Sequence, residues 1–438
     1  MIRFVGLDIH KRIVQACLLD EAGHVLGQQR FSLSRQSLFD FAQRQLTPED
    51  RVAVEATTNT WAVVAVLKPH VAEVVVSNPL TTKAIASAKV KTDKVDALVL
   101  AQLLRCDFLP RVWEPDQATQ EIRRLTSRRA SLVADRTTVK NRLHAVLAQR
   151  LITYPGPDLF ARVGLAWLRA LDIDAEGRQL LDSDLRLLAH VEAEIANLEK
   201  LLIPRAYADP RVKLLMTLPG VDYTVAQTLL GALGDIGRFQ DGDHTAAYLG
   251  LVPSTKQSAE RCYHGPITKH GNGHARWLLV QAAQHVAKHP GPLGVFFRRL
   301  AKRKNRNIAV VATARKLVVI AWHLLTKKEP YRYAQPLSTQ GKLQRLRVKA
   351  TGAKRKSGPS KGTPAGPKLA PGIHSRTAKP LAQVCAEEGL PPPSVPPPGE
   401  ARTLTQSATT DYVESLNQPQ VRAKRRRAPA KAGDVAPV

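Results

Sequence analysis

Apolar residues in the first hundred positions gather into short runs with strand spacing, separated by polar turns. Ile2–Ile9 (IRFVGLDI), Arg12–Leu19 (RIVQACLL) and Val25–Phe31 read as three strands, the last two joined across Asp20-Glu21-Ala22-Gly23. Ser34–Gln45 has helical spacing. Arg51–Ala56 and Val71–Ser77 are further β-rich runs on either side of a helix at Trp61–Leu67, and Thr92–Leu104 predicts a closing helix. Three strands, helix, strand, helix, strand, helix predicts an α/β domain over residues 1–113.

The period then changes. Leu125, Leu132, Val139 and Val146 recur every seven residues, as do Leu181, Leu188, Ile195 and Leu202, with Val191 and Leu198 at companion positions. These heptads predict a helical coiled-coil segment over 114–205, its seam closing within one chain or between two. Residues 206–330 are helix-rich and carry motifs. From 331 to 438 Pro, Lys, Arg, Ser and Ala dominate, with PPPSVPPP and the basic cluster Lys424–Arg427. Such a composition buries too little apolar surface to offset chain entropy and predicts a disordered basic tail. A chain ending at about Gln340 is therefore expected to keep a folded core.

Charge adds a partner. Lys and Arg total 65 against 37 Asp and Glu, for a formal net charge of +28 and a pI near 10.3. So basic a chain is suited to a polyanion, with nucleic acid first. The first heptad helix carries Arg123, Arg124, Arg128, Arg129, Arg136, Lys140 and Arg142, a one-signed excess that suits phosphate contact; Arg128, Arg129 and Lys140 are the candidates. No long uncharged apolar run suits a bilayer, and MIRFVGLDIHK lacks the shape of a signal peptide. Cys17, Cys106, Cys262 and Cys385 are scattered, which suggests neither a disulfide framework nor a zinc site. The cytoplasm is the expected compartment.

Against this charge, KTDKVDA (Lys91 to Ala97) sets Asp93 and Asp96 three residues apart, on one face of a helix. Asp8 closes the first strand and Glu55 the fourth. Strand ends and the following helix start often converge at one sheet edge, so the four acids are expected to meet. Four carboxylates together repel unless cations intervene. Mg2+ takes oxygen ligands and bridges carboxylates to substrate phosphates; two ions about 4 Å apart would stabilise both the attacking and the leaving oxygen at a phosphodiester. The pattern resembles the layout of a ribonuclease H or RuvC-like nuclease fold.

A second constellation lies further on. Leu218–Asp235 (LPGVDYTVAQTLLGALGD) has the form of a helix-hairpin-helix element, in which backbone N–H groups near Gly220 would hold a phosphate. Phe239–Pro253 (FQDGDHTAAYLGLVP) and Ser254–Val286, with ITKHGNGHARWLLVQAA, follow. Lys269, His270 and Arg276 are candidates to neutralise charge on a phosphate undergoing attack, or simply to contact the phosphate backbone.

GLDIHK, VAVEAT and KTDKVDA, with LPGV, AAYLGLVP, the Ser258 segment and ITKHGNGHARWLLVQAA, resemble in order and spacing the DEDD transposases of the bacterial insertion sequence 110 family. The resemblance spans roughly residues 3 to 325. It implies a RuvC-like metal domain, a coiled-coil segment and a C-terminal transposase domain, acting together as a recombinase that excises and inserts its own element. It also implies guidance by a structured noncoding bridge RNA that pairs with target and donor DNA. The four acids of the family correspond to Asp8, Glu55, Asp93 and Asp96, and its nucleophilic serine to Ser258, with Ser254 as the rival. Ala259 follows Ser258 where the family has glycine, and Thr58 and Asn59 stand where a glycine is often found after the motif glutamate.

A serine hydroxyl is a weak nucleophile and needs activation. A phosphoserine link would conserve bond energy and let strands rejoin; water would cut and release. Two other readings remain: a RuvC-like junction nuclease, and a non-enzymatic nucleic-acid-binding protein. The heptads and the need to handle two DNA partners lead to the expectation of a homodimer, and of a tetramer on DNA.

Overall fold

In a computed structural model of the chain, residues 1–86, 92–258, 261–353 and 373–425 are described, the stretches 373–378 and 420–425 by backbone alone. Lys91, Ala259 and the basic end of the tail beyond 425 lie outside the described residues. The chain divides into two compact units, Met1–Pro115 and Asp116–Val438.

The first unit is built on five strands: β1 (Phe4–Ile9), β2 (Ile13–Leu19), β3 (Val25–Ser32), β4 (Arg51–Glu55) and β5 (Glu73–Ser77). Their order in the sheet is β3-β2-β1-β4-β5. β2 runs antiparallel to β1 and β3, whereas β4 runs parallel to β1 and β5. Four helices accompany the sheet: α1 (Arg35–Gln45), α2 (Thr60–Leu67), α3 (Pro79–Ile85) and α4 (Asp93–Arg105). All but α3 follow the apolar pattern. α3 has seven residues opened by Asn78, whose side chain accepts from the Leu80 N–H, and by Pro79, signals that also mark a plain turn. The mixed sheet with its helices fits the RuvC-like layout expected of the sequence.

Both faces of β1 are covered, which is why it reads as a continuous apolar run. Val5, Leu7, Ile9, Val52 and Val54 pack with α1 and α2. Phe4 and Ala53 face the other way, onto Ala97, Leu100, Ala101 and Leu104 of α4. Gly6 lies on this second face. A Cβ there would stand 2.0 Å from the Ala97 carbonyl oxygen and 2.7 Å from the Ala101 nitrogen. Helix α4 thus rests backbone to backbone on β1, an approach that only glycine permits.

In the second unit α5 (Gln117–Ala148) and α7 (Ala175–Ala208) carry the heptads, with α6 (Arg162–Ala170) between them. Val139, Leu143 and Val146, late in α5, pack with Leu181, Leu185 and Leu188, early in α7, while Leu132 meets Val191 and Ile195. The two helices are therefore antiparallel, and the seam, left open between one chain and two by the sequence, closes within the chain.

Next come α8 (Pro210–Leu215), α9 (Tyr223–Leu233) and α10 (Gly242–Tyr248), then a ribbon of β6 (Pro253–Ser258) and β7 (Arg261–Ile267), then α11 (Gly273–Val286), α12 (Pro292–Arg303) and α13 (Arg306–Lys327). α13 is long and apolar enough, by length and composition, to cross a membrane. Its Ala309, Val310, Ala314, Leu317, Val318, Ala321 and Leu324 instead fill the core of this unit, and Arg315 and Lys316 interrupt its apolar run.

The expectation of disorder beyond 331 is corrected over much of the tail. α14 (Pro336–Thr351), α15 (Leu381–Glu387), α16 (Pro398–Gln406) and α17 (Thr410–Ser415) are helical, and β8 (Ile373–Ala378) pairs antiparallel with β9 (Gln420–Arg425). Leu343, Leu346, Leu381, Cys385, Leu390, Leu404 and Leu416 belong to the same core as α13. Averaged composition hides them: apolar residues are few, but Leu343 with Leu346 and Leu381 with Cys385 keep helical spacing. The Lys342 ammonium group donates to the Leu218 carbonyl at 2.6 Å and the Val221 carbonyl at 3.0 Å, so α14 clamps the turn before α9 from within the core. A chain ending at Gln340 would lose this clamp and the leucines that follow it, so the expectation that such a chain keeps its fold is corrected too.

Two outcomes follow from this packing. Gly6→Ala forces α4 off β1, at a cost of about 1–3 kcal/mol, and hydrogen exchange in β1 and α4 should accelerate; Gly27→Ala on β3, where a Cβ meets nothing within 4 Å, should leave exchange unchanged. Burial pushes the Lys342 amine down to about 7, against the pull of Asp222. The folded state thus binds fewer protons than the unfolded chain above that pH, so the burial penalty is full below about 7 and fades as pH rises towards the ordinary lysine range. Urea unfolding should show stability rising from pH 7 to 9 in the wild type. Lys342→Met should flatten that rise, and it leaves two buried carbonyls unpaired at about 1–3 kcal/mol each.

Candidate functional site

Two of the four acids, Asp8 and Asp93, come together with His10 on the face of the sheet that α4 covers, with Asp96 in the same helix turn as Asp93 and Glu55 at the end of the neighbouring strand. Leu7 pairs with Val54 in parallel register, so Asp8 and Glu55, the next residues, lie side by side at the strand ends. Side chains alternate along a strand, which puts Asp8 with Phe4 and Gly6, and Glu55 with Ala53, on the α4 side. α4 begins at the same edge. Thr92 caps it by accepting from the Val95 N–H at 3.3 Å, and Asp93 and Asp96 fill its first turn, where the helix dipole favours negative charge. The turn after β4 is fixed by Thr60, whose hydroxyl accepts from the Thr57 N–H at 2.6 Å and donates to the Glu55 carbonyl at 3.2 Å.

Asp8 is buried, while Glu55, Asp93 and Asp96 are half-buried. Burial pushes the Asp8 carboxyl above the usual range, against the pull of His10, and the charges of Asp96 and Asp93 add to the rise. Asp8 Oδ2 is buried. The His10 ring is its neighbour: Nε2 stands 3.1 Å from Asp8 Oδ2 and 3.2 Å from Asp93 Oδ1. Donor atoms of Asp8, His10 and Asp93 all lie within 4.8 Å of one another. A buried carboxylate grouped with a second carboxylate and an imidazole fits a divalent cation. The sequence reading passes over His10. Its signal was present, because residues i and i+2 at a strand end share a face, and His10 follows Asp8 by two.

In the second unit Ser258 ends β6 and pairs with Arg261 across the ribbon. Its side chain is exposed; that of Ser254 is half-buried. Lys269 and His270 are exposed in the turn before α11, with Lys269 at φ 55°. This turn locks onto the AAYLGL stretch. A Cβ on Gly271 would stand 2.1 Å from the Tyr248 carbonyl oxygen, and one on Gly250 would stand 2.4 Å from the His270 nitrogen. Arg276 secures both sides by donating to the Leu249 carbonyl at 3.0 Å and the His270 carbonyl at 2.7 Å. Gly220, at φ +76°, is similarly confined: a Cβ there would stand 2.3 Å from the Ala282 carbonyl oxygen.

The three basic candidates on α5 differ in their surroundings. Arg129 pairs with Glu199 at 2.7 Å, both side chains being about four-fifths buried, and Glu199 also meets Lys349 at 3.4 Å. The Lys140 ammonium lies 4.5 Å from the centre of the Phe160 ring. Arg128 is exposed. Two neighbours also have internal partners: Arg123 donates to the Gly231 carbonyl at 2.6 Å and the Ala232 carbonyl at 3.0 Å, and Arg142 pairs with Asp184 at 2.7 Å.

Comparison with known proteins bears on both units. Residues 5–152 match the DEDD transposase family of the IS110 type, and residues 212–295 match the transposase IS116/IS110/IS902 family; together they span more than half of the chain. The Sinorhizobium fredii protein y4qE, named as a transposase, is 32% identical over 58% of this chain, which spans 60% of that relative's length. The transposase for insertion sequence element IS1111A of Coxiella burnetii is 26% identical over 76% of this chain and 92% of its own. A pilin gene-inverting protein of Moraxella bovis is 25% identical over 75% of this chain and 97% of its own. Members of the family work on DNA with divalent metal ions, a requirement that the acidic and histidine cluster fits. By both matches and by the order of its motifs, this chain belongs to the IS110 family of DEDD transposases.

Proposed function

We propose that this protein excises and inserts an insertion sequence by site-specific strand exchange, with Ser258 as the nucleophile, Mg2+ as the metal and a bridge RNA as the guide. The observation that supports the reading is the buried Asp8 carboxylate at the sheet edge, grouped with Asp93 and His10 so that their donor atoms all lie within 4.8 Å of one another. Asp8, Glu55, Asp93 and Asp96 would hold the metal, which supplies positive charge to the phosphodiester under attack. Ser258 Oγ bonds to phosphorus, its proton passes to solvent, and the bond to the leaving deoxyribose oxygen breaks, giving a phosphoserine ester. A hydroxyl end of another strand then attacks that phosphorus and restores the serine. The exposure of Ser258 favours it over Ser254 as the group that meets a bulky duplex.

Arg128, Lys269 and His270 are exposed and suit phosphates. Gly220, Arg129, Lys140 and Arg276 have internal contacts, so their proposed part is to shape the surface around those phosphates. The net charge of +28 supports binding of RNA as well as DNA. The inverting activity printed in the name of the Moraxella bovis relative supports recombination at defined sites. A homodimer, and a tetramer on DNA, remain part of the proposal: α7 keeps Leu180, Leu187 and Leu201 exposed at heptad spacing, outside the seam it forms with α5. We place the protein in the cytoplasm, with access to the chromosome.

With Mg2+ and a DNA carrying the element's ends, a protein–DNA adduct should form, and mass spectrometry should place it on the peptide holding Ser258. Ser258→Ala should lose it while keeping DNA binding, and Asp8→Ala, Glu55→Ala or Asp96→Ala should slow strand exchange by at least about a hundredfold. Cleavage without any adduct would favour a RuvC-like nuclease that uses water. The arginines on α5 should separate by salt dependence. Arg128→Ala should lower the slope of log affinity against log salt by about 0.9 on duplex DNA, whereas Arg129→Ala should chiefly lower the melting temperature. Equal slopes for Arg128→Ala and wild type would remove Arg128 from the interface.

A further inference from the structure

We infer that His10 is itself a metal ligand, so that the ion at Asp8 and Asp93 is held by a mixed nitrogen and oxygen set. The inference rests on the acidic site being a metal centre, as proposed above, and adds a donor of a different chemical kind.

Three observations carry it. His10 Nε2 lies 3.1 Å from Asp8 Oδ2 and 3.2 Å from Asp93 Oδ1. Around a six-coordinate ion with bonds of about 2.1 Å, adjacent donors stand roughly 3.0 Å apart. The imidazole nitrogen is thus already spaced from both carboxylate oxygens as neighbours in one coordination shell would be. Secondly, Asp8 is more than nine-tenths buried and its Oδ2 has the His10 ring as a polar neighbour, a contact that engages one lone pair of the oxygen and leaves the other for an ion. Thirdly, the backbone fixes the base of the histidine. The His10 N–H donates to the Ile13 carbonyl at 2.9 Å in the tight turn between β1 and β2, which holds the residue at the edge where α4 begins.

The chemical consequence is metal preference. Carboxylate oxygens alone suit Mg2+ and Ca2+, whereas an imidazole nitrogen raises affinity for later divalent ions along the series from Mn2+ to Co2+ and Ni2+. The site should therefore take Mg2+ where Mg2+ is abundant, yet bind Co2+ more tightly than an all-oxygen site would. His10→Ala should lower Co2+ affinity by roughly tenfold or more and leave Mg2+ affinity within about threefold of wild type. His10→Asp, which supplies an oxygen donor, should keep Mg2+ binding and leave Co2+ binding weak.

Mn2+ as a spin probe on the full chain reads the bond directly. In the wild type, pulsed electron paramagnetic resonance should show coupling of bound Mn2+ to an imidazole nitrogen. That coupling should vanish in His10→Ala and His10→Asp while Mn2+ stays bound. Mn2+ bound without nitrogen coupling in the wild type, or coupling that persists in His10→Ala, overturns the inference and leaves the acidic site intact. Mn2+ binding that Asp8→Asn does not weaken overturns the acidic site itself, and the role of His10 with it.

Discussion

Helix α4 meets β1 backbone to backbone at Gly6, and the arrangement of the acids depends on that contact. Gly6 lies beneath Ala97 and Ala101, and the two alanines add only a methyl group each. A larger residue at any of the three would lift the helix and carry Asp93 and Asp96 away from Asp8. Burial raises the cost of charge on Asp8, and the charge of His10 pulls the carboxyl back the other way. Packing and chemistry here share one constraint: the layer that stabilises the first unit also sets the spacing of its acids.

In the second unit the basic residues cannot be understood from their number. Arg123 satisfies carbonyls at the end of α9, Arg129 neutralises Glu199, Arg142 meets Asp184, and Arg276 joins two turns. A guanidinium group offers five donors in a planar fork, so one arginine can hold several backbone carbonyls and keep part of its charge at the surface. The long antiparallel pair α5 and α7 is thus pinned along its length by ion pairs as well as by its leucines. What remains for a polyanion is a smaller set of exposed groups, such as Arg128 and Lys269, within a general positive field.

Most of the first unit was legible because its strands are short apolar runs bounded by turn residues, and because each helix keeps one period. Asp8, Glu55 and the Asp93/Asp96 pair could be read from their positions at element ends. His10 was missed because it was treated as part of a motif, although its strand parity with Asp8 was visible. The partner of the heptad seam was not legible: a repeat of seven fixes a helix face and says nothing about which chain covers it. Nor were the internal duties of Arg129, Lys140 and Arg276, since those depend on residues far away in sequence, such as Glu199 and Phe160. The tail was misjudged because composition was averaged over a stretch where leucines are sparse but regularly spaced.

The clamp from Lys342 to the turn before α9 spans 124 and 121 residues of chain. During synthesis at about 5–20 residues per second, the Leu218 and Val221 carbonyls emerge roughly 6–25 s before the lysine that will satisfy them. For that interval the nascent turn has no donor from α14, and the core beside it lacks Leu343 and Leu346. A ribosome that stalls or stops in the last quarter of the message therefore releases a chain whose motifs are all translated but whose second unit is unfinished.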